Sequence, residues 1–205
     1  MEKPKGYDET QAQMGFVPVE LGGHHLVIKQ VSERKSKNNQ DMIVVLFDFA
    51  QNDVQAGYFM EQFKNDIRPD KKYPNQATEY IMVYDQDGKT SRKFKTFTTC
   101  IEHSNPGFTT QWGAGFCQQF KDKKCGGVFG EQMDFYNGKE VRKRILRWFT
   151  SSDKVADAII PEITESAAYK QHMQSGGVGM PAPMATPGGD FMSIPDGIDE
   201  ELPFN

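Results

Sequence analysis

The chain has 205 residues, of which 37% are hydrophobic and 12% aromatic, a composition that suits one globular domain of ordinary size. No run approaches the roughly 18 consecutive apolar residues of a membrane span, and the first ten residues contain no signal-peptide-like segment. We therefore expect a cytoplasmic protein without a membrane segment. Its three cysteines have no regular spacing, which favours reduced thiols over a disulfide framework.

Charge is distributed unevenly along the chain. The net charge is −4, but residues 1–150 contain 22 Lys and Arg against 19 Asp and Glu. Residues 151–205 contain 2 against 9, so the body is mildly basic and the C-terminal part strongly acidic. A basic body is compatible with a polyanionic partner, although the local field along a groove matters more than the total charge.

The first half of the chain predicts strands after a flexible N-terminus of residues 1–13. Two alternating runs, HHLVIKQVSERKSK and QDMIVVLFDFA, flank Asn38 and Asn39, the pattern of a long β-hairpin. The segment AGYFMEQF predicts a third strand, and the polar, proline-containing segment KNDIRPDKKYPNQ predicts a basic loop.

The second half predicts two more hairpins with a helix between them. TEYIMVYDQDGKTSRKFKTF has a turn signal at Asp87-Gly88, and GGVFGEQMDFYNGKEVRKRILRWFT has one at Asn137-Gly138. In the connecting segment, Trp112, Phe116 and Phe120 recur every four residues, which predicts one face of a short helix.

Short antiparallel strands with one interposed helix predict a mainly β fold, an OB-type barrel over residues 14–150, because closure removes exposed sheet edges. An immunoglobulin-type sandwich is the alternative, but it leaves the central helix without a place. Residues 151–173 predict a helical extension, with a helix over 164–173 that Thr164 caps. Residues 174–205 are rich in Gly and Pro and are predicted to be disordered.

Aromatic and basic residues are interleaved in three segments of the body, a composition suited to single-stranded nucleic acid. Cations neutralise phosphates, and aromatic rings stack on bases whatever their identity. About half of the aromatic residues in a barrel fill its interior, and strand alternation places Arg142, Arg144 and Trp148 on one face. The candidate nucleic-acid-binding residues are Tyr58, Lys64, Arg68, Lys71, Lys72, Tyr73, Arg92, Lys93, Phe94, Lys95, Arg142, Arg144 and Trp148.

The C-terminus combines an acidic run with a short apolar plug. Negative charge is attracted over distance to a basic rim, and the Phe ring then supplies burial in a partner's pocket. The residues predicted to bind a protein partner are Asp199, Glu200, Glu201, Leu202, Pro203 and Phe204.

These last residues resemble the tail tip of bacterial and phage single-stranded DNA-binding proteins, in which acidic residues precede an aliphatic residue, Pro and Phe. The hairpin GGHHLVIKQVSERKSKNNQDMIVVLFDF also looks like a phage protein family thought to contain OB-fold single-stranded DNA binders. The resemblance implies docking of replication, recombination or repair enzymes and competition between tail and DNA. For a phage protein, the expected location is the host cytoplasm. In the family Phe is usually the last residue, whereas here Asn205 follows Phe204.

A zinc site and an enzymatic function are two alternatives to nucleic-acid binding. Cys100, His103, Cys117 and Cys125 are ligand types that zinc accepts, but the second pair is poorly spaced and packing explains Cys117, so we predict no metal and no cofactor. The sequence contains no P-loop, nucleophile elbow, HExxH or dinucleotide fingerprint. The sequence thus predicts a non-enzymatic single-stranded DNA binder with little sequence preference. The alternatives are a protein-interaction module that uses the tip or loop 64–73, and a metal-dependent nuclease.

Overall fold

The computed structural model describes residues 2–7 and 17–175, and this part of the chain is mainly β. Its strands are β1 (Gly22–Lys35), β2 (Asp41–Phe49), β3 (Thr78–Met82), β4 (Lys124–Tyr136), β5 (Lys139–Thr150) and the short β6 (Thr164–Glu165). Its helices are α1 (Tyr58–Asn65), α2 (Arg92–Ser104) and α3 (Ala167–Gln174). None of these described helices has both the length and the apolar character needed to cross a membrane. Residues 1 and 8–13 of the predicted flexible N-terminus, residues 14–16 of the predicted barrel and residues 176–205 of the predicted disordered tail lie outside the described residues.

The strands pair in the order β3-β2-β1-β4-β5, all antiparallel, and β6 joins β4 in parallel. β1 serves two partners, because Gly22–Val27 pair with β4 and Leu26–Lys35 pair with β2. A register shift between Ile28 and Gln30 marks the bulge that bends this strand. The order is that of an OB-type barrel with its seam between β3 and β5, so the predicted mainly β, OB-type fold is confirmed.

The seam is crossed by a side chain rather than by paired strands. Gln76, directly before β3, donates from Nε2 to the carbonyl oxygen of Arg144 in β5 over 2.8 Å. The first and third predicted hairpins are confirmed, and their turns contain Asn39 (φ 57°) and Asn137 (φ 51°). Asn tolerates this left-handed conformation better than most residues, which is why the turn signals were informative.

Two segments predicted as strands are helices. AGYFMEQF forms α1, because Phe59 and Phe63 lie four residues apart and both enter the core, while the Asp48 carboxylate accepts the N–H groups of Phe59 and Met60. The second predicted hairpin is also wrong after its first strand. Residues 92–104 form α2, which Ser91 caps by accepting the Phe94 N–H over 3.2 Å.

The predicted helix around Trp112 is also wrong, because Gly113 and Gly115 adopt left-handed φ values and only Gln118–Phe120 form a helical turn. The C-terminal helix is confirmed with a different start. Thr164 lies in β6, and Ser166 caps α3 by accepting the Tyr169 N–H over 3.0 Å.

A buried carboxylate ties β1 to the loop after β2. Asp53 contacts His24 Nδ1 at 3.0 Å, accepts the N–H of His25 at 2.8 Å, and accepts the N–H of Gln55 at 3.0 Å. Burial alone raises the pKa of Asp53, but the hydrogen bonds from His24 and these backbone groups outweigh it, so the pKa is lowered. The folded protein therefore favours the charged form of this carboxyl group.

Asp53→Asn is expected to destabilise the fold by about 1–3 kcal/mol near neutral pH, because buried donors lose a charged acceptor. The contribution of Asp53 is present above its unfolded pKa, near 3.8, and is lost as pH falls through the lower folded pKa. Urea denaturation at several pH values below about 5 should therefore show a shallower pH dependence for the variant than for the wild type. The exposed Asp157→Asn serves as control and should follow the wild-type curve; equal slopes for all three proteins would contradict the assignment.

Candidate nucleic-acid interface

Three of the aromatic residues predicted to stack on bases are not available for stacking in this structure. Phe94 and Tyr73 are only 4% and 6% exposed, and Tyr73 Oη donates to the carbonyl oxygen of Phe47 over 2.9 Å. Tyr58 is half-buried against the core and donates from Oη to the Val17 carbonyl oxygen over 2.7 Å. These rings hold the fold together, so we leave them out of the interface.

Two basic side chains of the predicted loop 64–73 already have partners. Arg68 forms an ion pair with Asp66 over 2.6 Å, and the Lys71 ammonium lies 4.8 Å from the centre of the Phe63 ring. Lys64 is exposed at the end of α1. Burial raises the pKa of Tyr80 in β3, and the positive charges of Arg34 and Lys72 lower it in part.

The β5 candidates do not form one surface. Arg142 and Arg144 pair with Glu131, at 3.3 and 3.8 Å. The pairing of β4 with β5 shifts by one residue between Val128 and Phe129. Leu146 therefore pairs with Phe129, whereas Trp148, two residues later, pairs with the adjacent Val128. Neighbouring residues on a strand point to opposite faces, so Trp148 lies on the face opposite Leu146 and Arg144. The prediction that Arg142, Arg144 and Trp148 share a face is wrong, because strand alternation takes no account of the bulge.

The α2 candidates separate into paired and surface cations. Lys93 pairs with Glu79, whose pKa is raised by burial and lowered in part by this lysine. Arg92 and Lys95 are exposed and line a cleft beside the N-terminal half of α2. Both line the same cleft as the exposed Tyr84 and Trp112, which are described next.

Three exposed rings follow one edge of the barrel, and we call them the aromatic stripe: Tyr80, Tyr84 and Trp112. Their exposed fractions are 36%, 49% and 70%. Tyr80 lies in β3, and Tyr84 follows β3 after a bend at Val83, whose N–H donates to the Asp41 carbonyl oxygen. Tyr84 forms a short β-bridge with Thr90, and between the two exposed tyrosines Ile81 is buried.

Trp112 is held by a neighbouring ring rather than by a helix. Its ring stacks on Phe116, with centroids 5.2 Å apart and planes 15° apart, and Phe94 lies beneath the pair at 6.2 Å from Trp112. One face of the indole is thus supported by the core, while most of the side chain remains exposed. A supported, exposed ring is the arrangement that base stacking needs.

Two adjoining clefts meet at Tyr84 and Trp112. The basic cleft, of about 1130 Å³, contains the cations Arg92 and Lys95, the carboxylate of Asp85, and threonine hydroxyls of α2. The acceptor cleft, of about 820 Å³, contains Gln30, Glu33, Asp41 and the loop Gly113–Gln118. Tyr84 and Trp112 of the stripe therefore have a cationic surface on one side and an acidic surface on the other.

Comparison with models of known protein families and with curated proteins finds no match for this chain. The candidate interface therefore depends on the geometry of the described residues and on the sequence pattern alone.

The predicted weak zinc ligands do not assemble. Burial raises the pKa of the Cys100 and Cys117 thiols to about 11 in each case, and raises that of the fully buried Cys125 further. Within residues 2–7 and 17–175, no group of three or more His, Cys, Asp or Glu side chains is placed to hold a metal ion. Cys117 instead lies 3.9 Å from a carboxylate oxygen of Glu33.

Part of the stripe has a signal in the sequence. In TEYIMVYD, Tyr80 and Tyr84 alternate with Ile81 and Val83, which separates an outer from an inner face once the segment is taken as a strand. For Trp112 the signal was negative, because the glycines that follow it argue against a helix.

Proposed function

We propose that this protein binds single-stranded DNA, with little overall sequence preference, along the aromatic stripe and the basic cleft. The observation that carries the proposal is the position of the exposed Tyr84 and Trp112 rings at the border of a cleft that contains Arg92 and Lys95. The proposal assigns no covalent chemistry to the protein.

The exposed rings and the neighbouring cations are suited to different parts of a nucleotide, which supports this function. Tyr84 and Trp112 offer stacking faces to unpaired bases, which a duplex keeps inside its stack, so single strands are favoured. Arg92 and Lys95 lie beside the rings and can neutralise phosphates of the same strand. The threonine hydroxyls in the basic cleft add donors that suit phosphate oxygens. The outer face of the second and third strands is also where OB folds bind oligonucleotides.

The acidic tip, Asp199–Phe204, is proposed to recruit replication or recombination proteins, as its resemblance implies. It also carries negative charge that competes with phosphates for the same basic cleft. Deletion of residues 196–205 is therefore expected to leave the affinity for a single-stranded oligonucleotide equal or higher, with the difference largest at low salt. Fluorescence anisotropy of full-length and truncated protein at two salt concentrations measures this; weaker binding after truncation would contradict it.

A second candidate function, a protein-interaction module, is favoured by a separate surface. The segment after β5 crosses β4 and leaves Ile159, Ile160 and Ile163 exposed by 84%, 56% and 49%. Exposed apolar side chains close together in sequence are typical of contact surfaces. This surface is compatible with DNA binding elsewhere on the barrel, so it competes with the main proposal only if nucleic acid does not bind.

Incubation of end-labelled single-stranded DNA with the protein, in magnesium and in chelator, separates binding from cleavage. The proposal predicts intact DNA in both conditions and protection from an added single-strand nuclease. Magnesium-dependent products would favour the nuclease alternative, and absence of protection at low salt would favour the protein-interaction module.

A further inference from the structure

The acceptor cleft differs from the basic cleft in the charges that line it. Its wall contains the side chains of Gln30, Glu33 and Asp41 together with Tyr84 and Trp112, and none of its lining residues is Lys, Arg or His. The exposed Glu33 carboxylate disfavours a phosphate group there, whereas Arg92 and Lys95 lie in the adjoining cleft. A base can therefore enter the acceptor cleft while its phosphate stays beside the cations of the basic cleft.

Gln30, Glu33 and Asp41 of the acceptor cleft each have a side-chain oxygen that can accept a hydrogen bond. The Glu33 carboxylate is exposed, and its Oε1 atom lies 3.9 Å from the Cys117 sulfur. Asp41 is engaged by Lys35 at 2.6 Å, which leaves Glu33 as the more available carboxylate. Gln30 Oε1 is buried without a hydrogen-bond partner among the described residues, and a buried acceptor of this kind is stabilised when a ligand supplies a donor.

A set of acceptors beside an exposed indole discriminates among bases. Cytosine, adenine and guanine present an exocyclic amino group, and carboxylates accept from the amino group of cytosine. Thymine presents carbonyl oxygens in the corresponding position, which a carboxylate repels. Cytosine and thymine are nearly equal in size. A difference between their affinities therefore reflects hydrogen bonding and charge rather than the space in the cleft.

We infer that the acceptor cleft is a subsite for one unpaired base with an exocyclic amino group, stacked on Trp112 and donating to Glu33. Among pyrimidines this base is cytosine. The inference rests on the proposed function and adds to it a modest preference at one position of an otherwise unselective interface.

The test compares the affinities of the full-length protein for oligo(dC) and oligo(dT) of equal length and salt concentration. The wild type is expected to bind oligo(dC) about 5-fold more tightly or better, the lower end of what one specific base contact contributes. In Glu33→Gln the amide offers a donor to thymine as well as an acceptor to cytosine, so the two affinities should converge. Glu61→Gln, an equally conservative change on the exposed side of α1, should keep the wild-type preference.

The outcomes separate this inference from the function on which it rests. Equal or tighter binding of oligo(dT) by the wild type, or a dC preference that survives in Glu33→Gln, overturns the subsite and leaves single-strand binding intact. Failure of both oligonucleotides to bind at low salt overturns both. A thermal melt of each variant confirms that the compared proteins are folded, and the wild-type comparison decides the matter without any variant.

Discussion

Replacing Trp112 by alanine is expected to weaken binding of a single-stranded oligonucleotide by roughly 5- to 150-fold, the range that corresponds to about 1–3 kcal/mol for one stacked base. The indole is 70% exposed and supported on one face by Phe116, so it is already positioned for stacking. Adding Tyr84→Ala should weaken binding further, because Tyr84 borders the same two clefts. Anisotropy titrations of the single and double variants measure both effects.

The chain provides a matched control for this prediction, since it contains two tryptophans. Trp148 is 45% exposed but is not among the residues that line either cleft. Trp148→Ala should therefore leave the affinity within about 2-fold of the wild type, as expected for a change outside the contact surface. A loss in Trp148→Ala as large as that in Trp112→Ala would transfer the interface to β5 and contradict the assignment.

The second large effect is expected from the cations of the basic cleft. Each phosphate that a protein neutralises on a single strand contributes about 0.7 to the slope of log affinity against log salt concentration. If Arg92 and Lys95 each contact one phosphate, the double alanine variant should reduce that slope by about 1.4 and weaken binding most at low salt. Titrations at four or five salt concentrations give the slope directly.

The control for the cation variant removes the same number of positive charges elsewhere. Arg142 pairs with Glu131 at 3.3 Å, and Lys143 pairs with Asp134, so both are already neutralised by carboxylates. Arg142→Ala with Lys143→Ala should change the net charge equally and leave the salt slope near that of the wild type. Equal reductions in the two double variants would mean that net charge, not the basic cleft, governs binding.

The parts of the fold that the sequence predicts are those determined by residues close together in the chain. The first and last hairpins combine alternation with turns at Asn39 and Asn137, and these residues adopt the left-handed conformation that the turns require. The helix α1 was missed because part of its start signal is tertiary. The Asp48 carboxylate, eleven residues before Phe59, supplies the acceptor for its first N–H groups, and the aromatic composition alone favours a strand.

The sequence predicts the residue types of the candidate site better than it predicts where those residues lie in the fold. Aromatic and basic residues do meet on this barrel, but Phe94 was assigned to the surface, although its spacing to Phe97 and Ile101 on α2 turns it into the core. Trp148 was grouped with Arg144 because a bulge cannot be read from alternation. Which cations are already paired, as Arg68 is with Asp66, depends on side-chain geometry.

The most direct test of the account uses Trp148→Ala protein, in which Trp112 is the remaining tryptophan. A labelled single-stranded oligonucleotide and its duplex are titrated with this protein at increasing salt, and anisotropy and tryptophan fluorescence are recorded in the same samples. We expect tight binding of the single strand, weaker binding of the duplex, loss of affinity with salt, and quenching of Trp112 in step with binding. Binding without quenching, or no binding at low salt, would contradict the claim that the aromatic stripe binds single-stranded DNA.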